Sequence, residues 1–486
     1  MNEIELKFQI PLTEQKRLYQ WFLSKNARSV ALYAKYYDTP ERHLAQQHIC
    51  LRQRLQGKMW IQTLKAPSQH QLKRFELEIN LGELDNPTLD LNIYHTHPKA
   101  QKILKHSLAK QAKNLTVHFE TEVNRLVHLV QYKQAEIEIS LDRGEIRQDL
   151  RSLAIYEIEF ELKQGSVHQL IEFIQPWIKE YQLWLDVRTK AQRGDALTQD
   201  LDVSAVQFAM PLYLKQQDSS ATAFKKMLNN ALQHLLPNAT ALAAKQYNSE
   251  HIHQTRVALR RLTTILRTFT EEAKAVDANW QAQLKTLFRQ LSSTRDRDAL
   301  TESLLPKLLA AGAPYVEFPQ IAEPQAVVIE DIFRTVDTVN LMLALLQFVH
   351  QPAEKSKKPI FKKQLSKKLQ TLHRQICTDA AHFLELDDAS RHRTRKRVKR
   401  LRYVVELVAA LYTTKQVKQY LKALKAVQEN LGEYNDLIVA ETLFQSIVQR
   451  KQKVWFILGW IANEKTYVLQ QAQLHLAKLS KTKTFW

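Results

Sequence analysis

The segment Glu3-Ile4-Glu5-Leu6-Lys7 carries a charge at every second position. On a strand, alternate side chains leave opposite faces, so Glu3, Glu5 and Lys7 share one face and Ile4 and Leu6 the other. A water-facing strand alternates in the same way. The habit recurs in later segments of the first 200 residues, with charges of both signs on one strand face, and this predicts a barrel with a charged interior. Farther along, His253, Arg256, Arg260 and Arg267 fall within about 60° of arc on a helix. His392, Arg395, Lys399 and Arg402 repeat that stripe. Neighbouring like charges repel unless an anion sits among them, so the stripes predict a polyanion site; the alternative is a solvated basic face.

The elements that must hold these residues differ along the chain. Short alternating segments at Ile49–Leu55, Met59–Lys65, Arg74–Leu81, Phe119–Gln131, Ala135–Leu141 and Ile155–Leu162 read as strands. Pro11 to Asn26 and Phe173–Trp184 read as helices. About eight strands in one domain imply a closed antiparallel barrel, which removes exposed edges. From about residue 218, Leu/Ala/Lys/Gln stretches with a 3.6-residue period take over. The expected organisation is a barrel domain over 1–202, a linker over 203–217 and an all-α domain over 218–486. The fold class is therefore multidomain α+β: an eight-stranded antiparallel β-barrel with flanking helices, then a duplicated helical bundle.

The duplication is visible in the motifs. His253-Gln-Thr-Arg256-Val-Ala-Leu-Arg260-Arg261-Leu262 matches His392-Arg-Thr-Arg395-Lys-Arg-Val-Lys399-Arg400-Leu401. Leu291-Ser-Ser-Thr-Arg295-Asp296 matches Leu431-Gly-Glu-Tyr-Asn435-Asp436. The offsets are 139 and 140 residues, and this shared spacing predicts two repeats, at about 218–312 and 360–486. Ala310–Pro324 and Gln351–Pro359 are the expected dividing segments.

The formal charge is +20. Residues 1–200 account for +3, and 20 − 3 leaves +17 for 201–486, so the helical half attracts polyanions or acidic surfaces. Two distant cysteines, Cys50 and Cys377, form no disulfide framework and fit a reducing cytoplasm. No apolar stretch opens the chain, so no signal peptide is expected. The longest apolar run, Val454 to Ala462, is about half the ~20 residues of a membrane helix and reads as a buried helix segment.

Residues 1–200 resemble the CYTH family, the triphosphate tunnel metalloenzymes. The resemblance rests on Glu3-Ile-Glu5-Leu-Lys7, Tyr36-Tyr-Asp-Thr-Pro40, Leu51-Arg52-Gln-Arg54, Thr63-Leu-Lys65, Arg74-Phe-Glu76, Arg125, Leu141-Asp-Arg-Gly144, Glu157-Ile-Glu159-Phe-Glu161-Leu-Lys163-Gln-Gly165 and Lys190-Ala-Gln-Arg193-Gly194. Thr189 stands where many members have Ser. Residues 218–486 resemble the CHAD domain, a helical module associated with polyphosphate, through the two His-x-x-Arg repeats and Leu401-Arg402-Tyr403, with Asp296 and Asp436 at its acidic positions. The arrangement resembles the bacterial inorganic triphosphatases.

The resemblance implies a metal-dependent hydrolase that cleaves tripolyphosphate to pyrophosphate and phosphate. Glu3, Glu5, Glu157 and Glu159 would hold magnesium, with manganese as its alternative. Arg52, Arg54, Arg74, Arg125 and Lys190 would bind the phosphates, and Lys7 and Lys65 would stabilise charge during cleavage. The two helical stripes would bind inorganic polyphosphate. No membrane partner is expected. Nucleic acid is disfavoured because the stripes lack interleaved aromatics. An idle polyphosphate-binding protein and a hydrolase of an organic triphosphate, such as thiamine triphosphate, remain open, as does cyclisation of ATP.

Among the remaining residues, Asp142 with Gly144 reads equally as a turn, and Glu161 as scaffold. Glu78, Glu136 and Glu138 read as partners of basic side chains rather than as further metal ligands, Glu76 reads equally as either, and Lys163 as outward-facing. His373, Cys377 and His382 match no zinc spacing and read as ordinary helix residues.

Overall fold

In a computed structural model the described residues are 2–67, 73–291, 296–314, 328–351 and 361–486; the side chains of 2, 3, 73, 74 and 296–299 are not among them. Most of the two expected dividing segments lies outside this set, as does Arg295. The chain forms two compact units. One comprises Met1–Phe208, Leu232–Thr255 and Val328–Pro352. The other comprises Ala209–Ala231, Arg256–Val327 and Ala353–Trp486.

The first unit is built on a nine-stranded antiparallel sheet. Its strands are β1 (Asn2–Gln9), β2 (Arg28–Asp38), β3 (Cys50–Gln56), β4 (Met59–Pro67), β5 (Lys73–Glu83), β6 (Thr116–Tyr132), β7 (Ala135–Gln148), β8 (Arg151–Gln164) and β9 (Trp184–Leu185). The order is β5-β4-β3-β2-β6-β7-β8-β1-β9, and β1 also meets β5 along Asn2–Ile4. Pairing therefore runs round eight strands, and the expected count needs one correction, the two-residue β9 added beside β1. It forms because Trp184 and Leu185 are buried and pair with Gln9 and Phe8.

Alternation then sorts the side chains. Leu6, Phe8, Ile158 and Phe160 are fully or nearly fully buried on the outer face, where Phe8 and Phe160 meet edge to face at 5.8 Å. Burying a side chain such as Phe160 contributes about 1.5–3 kcal/mol. The helices α1 (Leu12–Ser24), α2 (Pro98–Leu108) and α3 (Val167–Tyr181) cover this outer face. In α3, Leu170, Ile171, Ile174 and Ile178 repeat at helical spacing and are fully buried, and Ser166 begins the helix with a reciprocal capping box to Gln169. The inner faces are left to Glu5, Lys7, Arg52, Lys65, Arg125 and Glu159. A fourth helix, α4 (Lys190–Thr198), follows β9.

The remaining helices are α5 (Ser220–Ala243), α6 (Ser249–Thr268), α7 (Thr270–Ala273), α8 (Trp280–Gln290), α9 (Asp296–Ala310), α10 (Ile329–Ile332), α11 (Val336–His350), α12 (Phe361–Ala381), α13 (Asp388–Val408), α14 (Thr414–Gln445) and α15 (Val454–Lys481). Helix α11 belongs to the first unit and packs on α3, with Gln347 bonded to His168 at 2.7 Å. In the second unit Leu304, Leu308, Leu437, Phe444, Ile457 and Ile461 join α9, α14 and α15 in one apolar core. The run Val454 to Ala462 is buried on one side only, because Trp455 and Phe456 face solvent. None of the described helices is long and apolar enough to cross a membrane.

Candidate active site

Inside the first unit is a cavity of about 480 Å³ whose walls carry opposite charge. The acidic wall comes from β7 and β8. Their register sets Asp142 against Glu157 and Ser140 against Glu159, so Asp142, Glu157 and Glu159 bring carboxylate oxygens within 4.8 Å of one another. Asp142 lies mid-strand, which corrects its reading as a turn. Gly144 is needed there for another reason: a Cβ on it would lie 2.0 Å from the backbone oxygen of Glu122 on β6.

Lys190 enters from α4. Its Nζ lies 2.6 Å from Asp142, 2.6 Å from Glu157 and 2.7 Å from Glu159. Arg125 forks onto Asp142 through two bonds of 2.6 Å and reaches Glu159 at 2.5 Å. Burial by itself would raise the Glu159 carboxyl, but Lys190 and Arg125 outweigh it and hold the group well below the ordinary carboxylate range. Burial likewise opposes the charges on Lys190 and Arg125, and the surrounding carboxylates hold both well above their usual values.

The helix that delivers Lys190 is fixed at several points. Thr189 and Gln192 form its capping box. Arg193 donates to Glu157 at 2.8 Å and to the Ala154 carbonyl at 2.6 Å, and Arg42 forks onto Asp195 at 2.7 Å. Gly194 lets the helix lie flat on Phe119, whose ring would be 2.2 Å from an added Cβ.

Lys7 lies across from Glu159 in the β1–β8 register. Its ammonium meets Glu157 at 3.3 Å and donates to the Arg188 carbonyl. Glu5 lines the cavity opposite Glu161. Glu3 pairs with Arg74 through the backbone, and the side chains of both lie outside the described set. Sequence reasoning placed Lys163 outward, yet it lines the cavity and bridges Glu161 at 2.6 Å and Glu138 at 3.5 Å. A basic partner at this strand end keeps the parity of Glu157, Glu159 and Glu161, and that parity was the available signal.

Arg52, Arg54 and Lys65 make the basic wall. Glu78 approaches Arg52 at 3.6 Å and Arg54 at 3.3 Å, and Glu76 holds Lys65 at 2.9 Å. Glu136 accepts from Gln131 at 2.6 Å. The Nε atoms of Arg52 and Arg54 are buried with no acceptor among the described residues. Burial and the charge of Arg52 push Arg54 down to about 10. Such donors suit an anionic ligand, because a buried unpaired donor costs roughly 1–3 kcal/mol.

Gln9 and the pair Asp186–Arg188 were not foreseen, and Arg193 was matched to the family pattern without a role in the site. Gln9 bonds Glu157 at 3.2 Å and Asp186 at 2.9 Å. Burial alone would raise Asp186, but Arg188 and Lys7 hold it far below its usual value.

In the second unit the two basic stripes supply one cluster. Arg256 and Arg260 stack over the Phe288 ring at 5.2 and 5.0 Å, and Arg260 approaches the Tyr403 hydroxyl at 3.3 Å. Lys399 is pushed down to about 7, first by burial and then by Arg260 and Arg395. His392 bonds Asn435 at 3.2 Å, so the two motifs of the second repeat meet across α13 and α14. Burial and then Lys396 lower His392. The stripe is not free of acids: Arg402 bonds Glu406 at 2.8 Å, one turn on. Arg267 interacts with Arg400. His253 belongs to the first unit. His373 bonds Tyr420 at 2.7 Å and approaches Cys377 at 3.4 Å, as expected of ordinary helix residues, whereas His382 lies in the turn after α12, near Glu385 at 3.4 Å.

The first unit thus holds a cavity with an acidic and a basic wall, and the second a cluster of basic helix residues. Residues 1–194 match the CYTH domain and residues 226–445 the CHAD domain, so the chain carries a CYTH domain followed by a CHAD domain. It is 31% identical over 202 residues to the inorganic triphosphatase of Haemophilus influenzae, covering 40% of this chain and 54% of that protein. The chain thus spans about half the length of this curated relative. Among solved structures, the CHAD domain of Ricinus communis is 29% identical with a TM-score of 0.49, covering 58% of this chain and 99% of that one. A Hippeastrum putative adenylyl cyclase, described as having a dominant triphosphatase activity, is 15% identical with a TM-score of 0.28, covering 41% and 96%.

Proposed function

We propose that the CYTH domain hydrolyses tripolyphosphate to pyrophosphate and phosphate, with a divalent metal, magnesium or manganese, and that the CHAD domain binds inorganic polyphosphate. The observation that carries the reading is the two-walled cavity, with clustered carboxylates facing buried, partly unpaired arginines. A linear triphosphate matches that geometry because its oxygens accept from the arginine forks and its charge needs a cation on the other side. The name of the Haemophilus relative supports the same substrate class.

Asp142, Glu157 and Glu159 would hold the metal together with Glu5; Glu3 is proposed from its position in β1 alone. The donor set fits a hard cation: it is all carboxylate, and the cation Lys190 already lies 2.6–2.7 Å from all three. When bound, a divalent metal supplies positive charge at the phosphoryl oxygens and acidifies water. Glu159 stays ionised throughout the neutral range and so acts as a fixed charge, not as a proton carrier. Arg52, Arg54, Arg74, Arg125 and Lys190 bind and orient the phosphates. Lys7 and Lys65 stabilise the charge that develops on the leaving pyrophosphate. The reducing cytoplasm is the proposed compartment.

The test is phosphate release by the full chain, with and without magnesium, on tripolyphosphate, thiamine triphosphate and ATP in competition. Tripolyphosphate should be preferred, and Glu5→Gln should abolish most turnover while the melting curve stays unchanged. Full turnover in a folded Glu5→Gln variant at saturating metal overturns the metal assignment. No release from any substrate leaves a binding protein.

A further inference from the structure

Helix α15 buries one apolar side and leaves an uncharged side with four large apolar residues exposed. Val454, Ile457, Ile461 and Val468 enter the core of the second unit. On the opposite side, nine positions between Trp455 and Leu474 are exposed, and none carries a charge. Trp455 is 64% exposed, Phe456 41%, Tyr467 56% and Leu474 62%. In a chain where residues 201–486 carry +17, an uncharged strip of about five turns calls for an explanation. The strip also lies beyond residues 226–445, where the CHAD match ends.

We propose that this face of α15 pairs with the same face of a second copy of the chain, antiparallel, about a two-fold axis between Glu464 and Lys465. Three features favour that occupant. First, the strip runs about 28 Å along the helix at 1.5 Å per residue. Its four large side chains expose on the order of 400 Å², already a large patch for a monomer. With the smaller residues between them, the area approaches the roughly 800 Å² per partner of a stable interface.

Second, the face is complementary to itself. Antiparallel pairing about that axis sets Trp455 beside Leu474 and Tyr467 over Ala462, with Asn463 beside Thr466. Each contact then recurs on the other side of the axis, as an isologous interface requires. Gly459 has nothing within 4 Å of an added Cβ, so it leaves room for the other helix. The alternation of three- and four-residue steps along the strip is the spacing by which paired helices interlock.

Third, charge selects the site. Two copies of so basic a unit repel over most of their surface, whereas the nine exposed positions here bring no charge to desolvate. Lys465 is tied back to Glu441 at 2.6 Å and leaves the centre clear.

Sedimentation velocity of the full chain at micromolar concentration, in buffer of moderate and of high salt, tests the proposal. Twice the mass of one chain is expected at both, because the contact is apolar. Tyr467→Glu should give a monomer with an unchanged circular-dichroism melt. Should that variant fail to fold, the pair Asn463→Cys/Thr466→Cys decides: mild oxidation should link two chains, while Lys478→Cys and the parent chain, each keeping Cys50 and Cys377, should stay unlinked. A monomeric parent chain overturns the proposal, as does a folded Tyr467→Glu variant that remains dimeric or equal cross-linking through Lys478→Cys. A monomer that floats with anionic lipid vesicles overturns it in favour of a lipid surface.

Discussion

Replacing Lys190 by methionine would remove the ammonium that touches three buried carboxylates while keeping the length of the side chain. Asp142 and Glu157 are fully buried and Glu159 nearly so. Loss of one partner from a buried ion pair ordinarily costs about 3–5 kcal/mol. Arg125 remains on Asp142 and Glu159, and Arg193 on Glu157, which argues for the lower end. For a unit of this size ~3 kcal/mol lowers the melting temperature by roughly 6–12 °C. Thermal unfolding of the full chain in chelator should show that loss in the transition of the first unit. Magnesium at about a hundred times its Kd should return ~2.7 kcal/mol, and it should stabilise the variant more than the parent, whose lysine competes for the carboxylates. In the parent, Glu159 is held well below the usual carboxylate range, so its contribution to stability stays level from pH 7 to 5 and disappears only in stronger acid. A variant in chelator that melts with the parent, or magnesium that favours the parent, refutes the assignment of these carboxylates as one cation site.

Lys399, at about 7, should couple polyanion binding to protons. Its folded value lies below the unfolded one, so it weakens the fold when protonated, and that effect fades as pH rises from 7 to about 10. A bound polyphosphate raises it again. Calorimetry at pH 8 in buffers of different ionisation enthalpy should therefore show uptake of about one proton, absent in Lys399→Arg. Equal heats in both buffers refute the coupling. Gly194→Ala should cost about 1–3 kcal/mol by driving a methyl into the Phe119 ring. A double variant with Phe119→Leu should recover part of that loss in the same melting assay, and an unchanged Gly194→Ala melt shows that the helix can shift freely.

Alternation along β1 and β8 was legible in the sequence because strand parity is local: Glu5 and Lys7 share a face, as do Glu157, Glu159 and Glu161. The duplicated helical motifs were legible because the two pairs of motifs lie 139 and 140 residues apart. Which carboxylates gather was not, since Asp142 joins Glu157 only through the register of β7 on β8, a long-range choice that no spacing within either strand records. The reach of Lys190 depends on how α4 enters after β9, on Gly194 against Phe119 and on Arg42 gripping Asp195. Lys399 reads as one more base in a stripe, and only the approach of Arg260 and its own burial turn it into a group that titrates near neutrality. The run from Val454 was visibly apolar, but one-dimensional hydropathy does not say which side of a helix the core will take. The residue types fixed what chemistry the chain can offer, and tertiary packing decided which groups meet, how deeply they are buried and which apolar face remains uncovered.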